Sequence, residues 1–350
     1  MKKQLGLLTL SIASLFSISS YAVEDGTSLS WKEHPYLVES ECSGTVLAGK
    51  YVLLAGHCGS YVSNPFPRLV NIADGSSIMP THRNSELFDS DINYADIAIW
   101  HLPNTVPMNS IAFIADLNDA NTLPKLGDTI RFLGFGQKNH IPKLTQAENT
   151  VIRLSTTPRF DYSGIAHSVL GDSGAPIFNA NNKIIGINTV GDDGVVDPEG
   201  KPISGGVRLA PVKDWLLKGI NAWHSPTELK FTGSKTVEIQ SLHVEKTNLS
   251  ASWNNGTLSS GDVNVTGGSC VTDGDIPSFG ICTLELSSTG DEGHIMLDDG
   301  NTITINRAPK PDPKPQPSNG GGSGGSTSIL TLIGLLGIAF KRKLLELCKS

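Results

Sequence analysis

The sequence has few charged residues, no excess of basic residues and no collagen-type glycine repeat, and each of these absences excludes a class of protein. Charged residues make up 17% of the 350 residues, too few for a chain kept disordered by self-repulsion. The sequence has 27 Lys and Arg residues against 34 Asp and Glu residues. This acidic balance provides no basic face for DNA or RNA, so a nucleic-acid partner is not expected. The 37 glycines follow no Gly-X-Y period, which excludes a collagen.

Glycine and proline, with 37 and 20 residues, are modestly enriched and favour strands and turns. The length suffices for one large domain or two ordinary ones. Five prolines and five glycines fall in residues 309–325 alone. They predict an extended and then flexible Pro/Gly/Ser linker over 308–327.

The first 22 residues are typical of a secretory signal peptide. Two lysines precede an apolar stretch over 7–18, and Ser20 and Ala22 supply small residues at the positions that signal peptidase reads. Cleavage after Ala22 makes Val23 the first residue of the mature chain. A buried first helix is the alternative interpretation.

The last 23 residues, 328–350, predict a membrane segment. The apolar stretch over 329–340 is short against the roughly 20 residues of a full span, and Lys341-Arg342-Lys343 after it favours a cytoplasmic end. This tail resembles the GlyGly-CTERM sorting signal of Gram-negative bacteria. The resemblance implies transient anchoring in the inner membrane, removal of the tail by a rhomboid-type protease, and type II secretion. The alternative is a permanent C-terminal anchor.

The odd count of five cysteines is explained by this tail, because Cys348 lies beyond its basic cluster. The four others lie in the exported part, where an even count in an oxidising compartment predicts two disulfides. They are Cys42, Cys58, Cys270 and Cys282.

Two folded parts are predicted, over 23–224 and 228–307. The first has short strand-like runs and one helical run from Pro211 to Trp223. The second has strand-like pieces, Leu249–Trp253 among them, and suits a small immunoglobulin-like β-sandwich. It offers no aromatic platform for a sugar, so we expect a spacer or targeting role, with a surface-binding module as the alternative.

Three residue types needed for nucleophilic catalysis occur in the first part. Ser173 lies between glycines, where its own amide and that of Gly171 suit an oxyanion hole. A serine needs a base, and His57 follows an apolar strand-like run. Asp96 opens another such run and suits the orienting carboxylate. For each residue alone, a structural role in a turn or in the core is the better explanation. Together, in the order His, Asp, Ser, the three residues indicate catalysis.

These motifs resemble those of the chymotrypsin-type, or trypsin-like, serine proteases, including ones secreted by Vibrio and related Gram-negative bacteria. The strand into His57, the segment opening with Asp96 and the string around Ser173 match the family's catalytic motifs. The resemblance implies an all-β fold, a chymotrypsin-like double β-barrel, followed here by the sandwich. It also implies a disulfide between Cys42 and Cys58, protein or peptide substrates, and neither metal nor organic cofactor.

Activation and specificity are likewise implied by the resemblance. The amine of Val23 is expected to pair with Asp172 and so to shape the oxyanion hole. The base of the substrate pocket falls on His167, which provides no fixed negative charge and so favours a neutral polar or acidic side chain before the cut bond. The predicted pocket residues are His167, Ser168, Asn188, Thr189, Gly191 and Gly206.

The sequence therefore predicts a secreted or cell-surface serine endopeptidase. The alternative is a non-catalytic protease fold used for surface binding or adhesion.

Overall fold

The apolar run before the predicted catalytic histidine and the apolar run after the predicted aspartate form neighbouring strands. In the computed structural model, Tyr51–Leu54 pairs antiparallel with Ala98–His101, in a register that sets Leu54 opposite Ala98. The structure describes residues 25–59, 68–84, 95–136, 143–191, 194–298 and 300–309. The strands up to residue 208 are β1 (Thr27–Ser28), β2 (Leu37–Glu39), β3 (Ser43–Leu47), β4 (Tyr51–Leu54), β5 (Val70–Asn71), β6 (Ser77–Ile78), β7 (His82–Asn84), β8 (Ala98–His101), β9 (Thr129–Gly134), β10 (Thr145–Leu154), β11 (Arg159–Ser163), β12 (Pro176–Phe178), β13 (Ile184–Val190) and β14 (Ile203–Arg208).

These strands form two seven-stranded sheets. The first, an open half-barrel, has the order β6-β5-β2-β3-β4-β8-β7. In the second sheet, β9 to β14 close into a six-stranded barrel because β9 pairs with both β12 and β10. The short strand β1 pairs with the first residues of β10, Thr145 and Gln146. The predicted all-β, chymotrypsin-like double barrel is confirmed.

Alternating burial explains why these segments form strands. Along β10 the side chains of Thr145, Ala147, Asn149 and Val151 are buried, and those between them are more exposed. This period of two places every second side chain in the barrel core. The strands β4 and β8 are buried almost throughout, as expected for strands covered on both faces.

Residues 222–305 build a sandwich of two four-stranded sheets around a core of their own. The sheet orders are β15-β17-β20-β19 and β16-β22-β21-β18. The immunoglobulin-like relationship remains a prediction. The strands are β15 (Ala222–His224), β16 (Glu228–Leu229), β17 (Gly233–Leu242), β18 (Ser259–Gly261), β19 (Asn264–Gly267), β20 (Ile281–Ser288), β21 (Gly293–Asp298) and β22 (Asn301–Ile305).

Two secondary-structure predictions need correction. Leu249–Trp253 was expected to be strand-like, but Ser250–Asn254 forms a short helix, α2. An Asx turn leads into this helix, because Oδ1 of Asn248 accepts hydrogen bonds from the amide and hydroxyl of Ser250. The helix expected over Pro211–Trp223 is shorter. It spans Lys213–Ile220 as α1 and stops where Asn221 adopts a left-handed conformation with φ of 42°.

A third helix, α3 (Ser269–Thr272), carries Cys270. The disulfides Cys42–Cys58 and Cys270–Cys282 are both present, with S–S distances of 2.06 and 2.05 Å. This confirms the prediction of two disulfides.

The sandwich is joined to the barrels by buried polar side chains. His224, fully buried, accepts a hydrogen bond from the amide of Ala48 at Nδ1 and donates one from Nε2 to the carbonyl of Ala112, both at 3.1 Å. Gln240, also fully buried, donates to and accepts from the backbone of Ile114. The described residues up to Ala308 accordingly form one compact unit.

The terminal predictions fall outside the described residues. The signal peptide, Val23, most of the linker and the C-terminal segment all lie there. Within the described ranges, no helix is long and apolar enough to cross a membrane.

Candidate active site

The predicted base and orienting carboxylate meet at the end of β4. A short helical turn, Gly56–Gly59, follows this strand and carries His57. Oδ2 of Asp96 lies 2.6 Å from Nδ1 of His57, and its Oδ1 accepts a hydrogen bond of 2.7 Å from the backbone amide of His57. Since a carboxylate only accepts, Nδ1 carries the proton and Nε2 is left as the acceptor.

Gly56 makes room for this pair. A Cβ atom at this position would lie 3.0 Å from Oδ1 of Asp96 and 3.1 Å from the amide nitrogen of Ile97. A side chain there would press on the carboxylate that orients the imidazole.

The turn that carries Ser173 is pressed against the first sheet. The carbonyl of Ser173 accepts a hydrogen bond of 2.8 Å from the amide of Ser43 and lies 3.9 Å from Sγ of Cys58, the residue after His57. Gly174 has φ of +87°, and a Cβ there would overlap the carbonyl oxygen of Ser43. Backbone therefore packs directly on backbone where the two barrels meet.

The predicted oxyanion donors make no internal hydrogen bond within the described part of the chain. Neither the amide of Gly171 nor that of Ser173 donates to a described residue. The carbonyl of Gly171 is held by the hydroxyl of Ser43 at 2.9 Å, and that hydroxyl accepts from the amide of Phe135 at 2.8 Å. This linkage fixes the loop around the two amides.

Ser43 was not predicted to have a role in the site. Its backbone and hydroxyl contact Ser173 and Gly171, 130 and 128 positions away in the sequence. Its place directly after Cys42 in a disulfide-bonded segment was the one signal that the sequence offered.

Asp172 is a fully buried carboxylate behind the Ser173 turn. Its oxygens accept hydrogen bonds from the amides of Gly136 at 2.7 Å and Val169 at 2.9 Å. Burial raises the pKa of Asp172 to about 8, although the two hydrogen bonds oppose this shift. No cationic side chain of the described residues pairs with it, and its expected partner, Val23, lies outside the described residues.

Three of the predicted pocket residues lie together. His167 is 8% exposed, and its Nδ1 lies 3.1 Å from the carbonyl of Ile165. A Cβ on Gly191 would lie 3.2 Å from the carbonyl oxygen of Ser168. The segment from His167 to Ser168, the predicted base of the pocket, therefore runs close beside Gly191 of its predicted wall.

Asn188 and Gly206 lie opposite each other on β13 and β14. Asn188 is 1% exposed and donates to the hydroxyl of Ser168 at 2.7 Å and to the carbonyl of Asp172 at 3.1 Å. A Cβ on Gly206 would lie 2.6 Å from the carbonyl of Ile187 and 2.7 Å from Cδ1 of Ile177. Both residues face the barrel interior, because they lie on the inward face of their strands.

Thr189, another predicted pocket residue, is 7% exposed, and its hydroxyl has no hydrogen-bond partner among the described residues.

Tyr162, which the sequence did not single out, is fully buried and donates a hydrogen bond from its hydroxyl to Asn188. Burial, followed by the charges of Asp172 and Asp161, raises the pKa of Tyr162 well above its usual value. Tyr162 therefore remains neutral and donates its hydrogen bond to Oδ1 of Asn188, beside the predicted pocket.

Comparison with known proteins agrees with this architecture. The sequence profile of the trypsin family matches residues 26–216, which is more than half of the chain. The chain belongs to the trypsin family. As a trypsin-family protein it is a serine-type endopeptidase, and its substrates are proteins or peptides.

Among its relatives, a beta-fibrinogenase-like protein of Daboia siamensis is 25% identical over 225 residues, covering 57% of this chain and 87% of the relative. Two proteases of Vibrio cholerae, the secreted serine protease VesC and the protease VesB, are among similar solved structures. VesC is 20% identical, with a TM-score of 0.44, covering 80% of this chain and 70% of VesC. VesB is 18% identical, with a TM-score of 0.42, covering 80% of this chain and 98% of VesB.

Proposed function

We propose that this protein is an exported endopeptidase that cuts peptide bonds with Ser173 as nucleophile, His57 as general base and Asp96 as orienting carboxylate. The observation that carries the proposal is the double contact of Asp96 with the ring and amide of His57, at 2.6 and 2.7 Å. It fixes the imidazole in the tautomer that accepts a proton at Nε2.

The chemistry follows from this tautomer. Nε2 of His57 takes the hydroxyl proton as Ser173 attacks the peptide carbonyl, and Asp96 stabilises the imidazolium that forms. The amides of Gly171 and Ser173 then stabilise the negative charge on the substrate oxygen. His57 returns the proton to the leaving amine, and water repeats the sequence on the acyl-enzyme.

Covalent labelling tests this mechanism. A fluorophosphonate probe reacts with an activated serine, so the native protein should be labelled and Ser173→Ala should not. We expect Ser173→Ala to lose kcat by a factor on the order of 10⁶. Ser76→Ala, which alters an exposed turn serine far along the chain, serves as the matched control and should be labelled like the native protein. Native protein that resists labelling would support the non-catalytic binding or adhesion function instead.

Activation is proposed to use the buried carboxylate of Asp172. A new amine on Val23, formed by cleavage after Ala22, would supply the cation that this carboxylate lacks among the described residues. The paired amine should have a raised pKa, so activity should fall as alkaline pH deprotonates it. Active protein with another N-terminal residue, found by N-terminal sequencing, would contradict this route.

The substrate preference is proposed from His167. With no fixed negative charge at the pocket base, the site should favour a neutral polar or acidic side chain before the cut bond over Lys or Arg. A peptide library tests this, with His167→Asp as the comparison that should gain cleavage after Lys and Arg. A native preference for Lys or Arg would refute the assignment.

Export is proposed to use the signal peptide, the GlyGly-CTERM-like tail, the type II machinery and a rhomboid-type protease. Intact-mass analysis of protein from the medium should show loss of 1–22 and of the C-terminal segment. Removal of Lys341-Arg342-Lys343 should leave protein trapped in the cell. A secreted chain that retains its intact tail would contradict the sorting role.

A further inference from the structure

Two histidines stand side by side at the edge of the first sheet. His82 on β7 is paired directly with His101 on β8, and β7 is the last strand in that sheet. Trp100, the neighbour of His101, is fully buried. Because successive side chains alternate between faces, His101 and its partner His82 lie on the outer face.

The spacing of the two rings suits a shared metal ion. Their centroids are 5.4 Å apart, and their planes meet at 79°. Zinc binds histidine nitrogen at about 2.0–2.1 Å in tetrahedral geometry, which places two imidazole centroids on one ion about 5 Å apart. The separation of the two centroids therefore matches that of two imidazoles bound to one ion.

The ring nitrogens are also available. Neither ring makes a hydrogen bond to any residue that the structure describes, and the further ring contact of His101 is with Tyr51, at 4.8 Å between centroids. Histidine binds metals in its neutral form, and the charge of Lys50 opposes a cation.

We propose that His82 and His101 form a two-histidine site for a borderline divalent transition metal, Zn²⁺ or Cu²⁺, with water in the remaining coordination positions. Imidazole suits these ions, whereas Mg²⁺ and Ca²⁺ prefer oxygen ligands. The ion would join the edge strand β7 to β8 and so stabilise the rim of the half-barrel.

The site is separate from the catalytic pair. His101 lies five positions after Asp96, a span of about 16 Å in extended chain. Binding at the two histidines should therefore raise thermal stability without requiring His57, and it does not depend on the proposed proteolytic mechanism.

Titration of the full chain carrying Ser173→Ala, which prevents self-digestion, tests the proposal. Calorimetry with Zn²⁺ should show one site that is lost or weakened at least about tenfold in His82→Gln and in His101→Gln, because each removes half of the chelate. His294→Gln, which alters a half-exposed histidine of the sandwich, is the matched control and should bind like the parent.

Copper provides the second measurement. Electron paramagnetic resonance of one equivalent of Cu²⁺ should show coupling to two imidazole nitrogens in the parent and to one in either single variant. Cu²⁺ should bind more tightly than Zn²⁺, and Mg²⁺ should not compete. Equal Zn²⁺ affinity in parent and both variants, or unchanged nitrogen coupling, would overturn the proposal and leave the rings as a packing contact.

Discussion

At the scale of single residues, Gly174 determines how closely the turn of Ser173 packs on the first sheet. Its positive φ and the carbonyl of Ser43 beside it exclude any side chain. Gly127 has nearly the same φ, +86°, but a Cβ added there would meet no atom within 4 Å. The two glycines therefore separate backbone strain from steric overlap.

Gly174→Ala should destabilise the protein by more than Gly127→Ala. The second change costs only the left-handed conformation, about 1–2 kcal/mol, whereas the first adds overlap with Ser43. Denaturant unfolding of both variants in the Ser173→Ala background measures the difference. We also expect Gly174→Ala, made with Ser173 intact, to lose fluorophosphonate labelling. Equal losses of stability would show that the turn can move away from β3.

Asp172 gives the uncleaved chain an unusual pH dependence. Its pKa in the folded state, about 8, lies above the ordinary value of about 3.9, so between these values the folded chain holds a proton that the unfolded chain has lost. The contribution to stability is present below about pH 4 and is lost as pH rises to about 8. Asp172→Asn should flatten this part of the stability profile, which denaturant midpoints at several pH values will measure. If the stability of the parent protein does not fall between about pH 4 and pH 8, the carboxylate of Asp172 is not buried without a cation.

At the scale of elements, the two disulfides close loops of similar length but sit in different surroundings. Cys42 and Cys58 are 16 positions apart and hold the turn of His57, whereas Cys270 and Cys282 are 12 apart and join α3 to β20. Loop closure predicts a similar stabilisation for both, about 3 kcal/mol.

Replacing either cysteine pair by alanine should therefore lower the free energy of unfolding by about 2–4 kcal/mol. Only the Cys42/Cys58 pair should also reduce kcat, because its loss frees the turn that orients His57. Chemical unfolding and peptide hydrolysis below the melting temperature separate the two effects. A similar loss of kcat in the Cys270/Cys282 variant would show that the sandwich controls the site.

Local motifs were predicted well and long-range placement was not. The runs before His57 and after Asp96 are apolar enough to be recognised as strands without any partner. The close packing around Gly206 depends on β11 and β13, which lie beside β14 only after the barrel closes. The helix at Ser250 follows an Asx turn at Asn248, which a strand-like composition concealed.

At the scale of the whole molecule, the barrels and the sandwich share buried polar contacts rather than a hinge. His224, neutral and fully buried, bonds the backbone at Ala48 and Ala112. Burial lowers the pKa of His224 to about 4. Charging this residue therefore opposes folding of the joined structure.

The sign of this effect differs from that of Asp172. The unfolded chain takes up a proton at His224 near pH 6.5, whereas the folded chain resists it down to about pH 4. Stability from this residue is present above about pH 6.5 and falls as pH decreases towards 4. His224→Gln should reduce stability at neutral pH and weaken the acid dependence of stability, as thermal unfolding across this pH range will show.

Calorimetry of the native chain should show a single unfolding transition for the barrels and the sandwich together. Two separate transitions would contradict the shared buried contacts.

The contact of Gly174 with Ser43 has a consequence for how this enzyme tolerates change over generations. Where the nucleophile turn meets the first sheet, peptide groups touch with no side chain between them. Substitutions that reshape either barrel core therefore leave the thickness of this junction unaltered. The spacing between the proposed nucleophile and the first sheet is therefore set by main-chain geometry, which leaves the two barrels free to diverge in sequence.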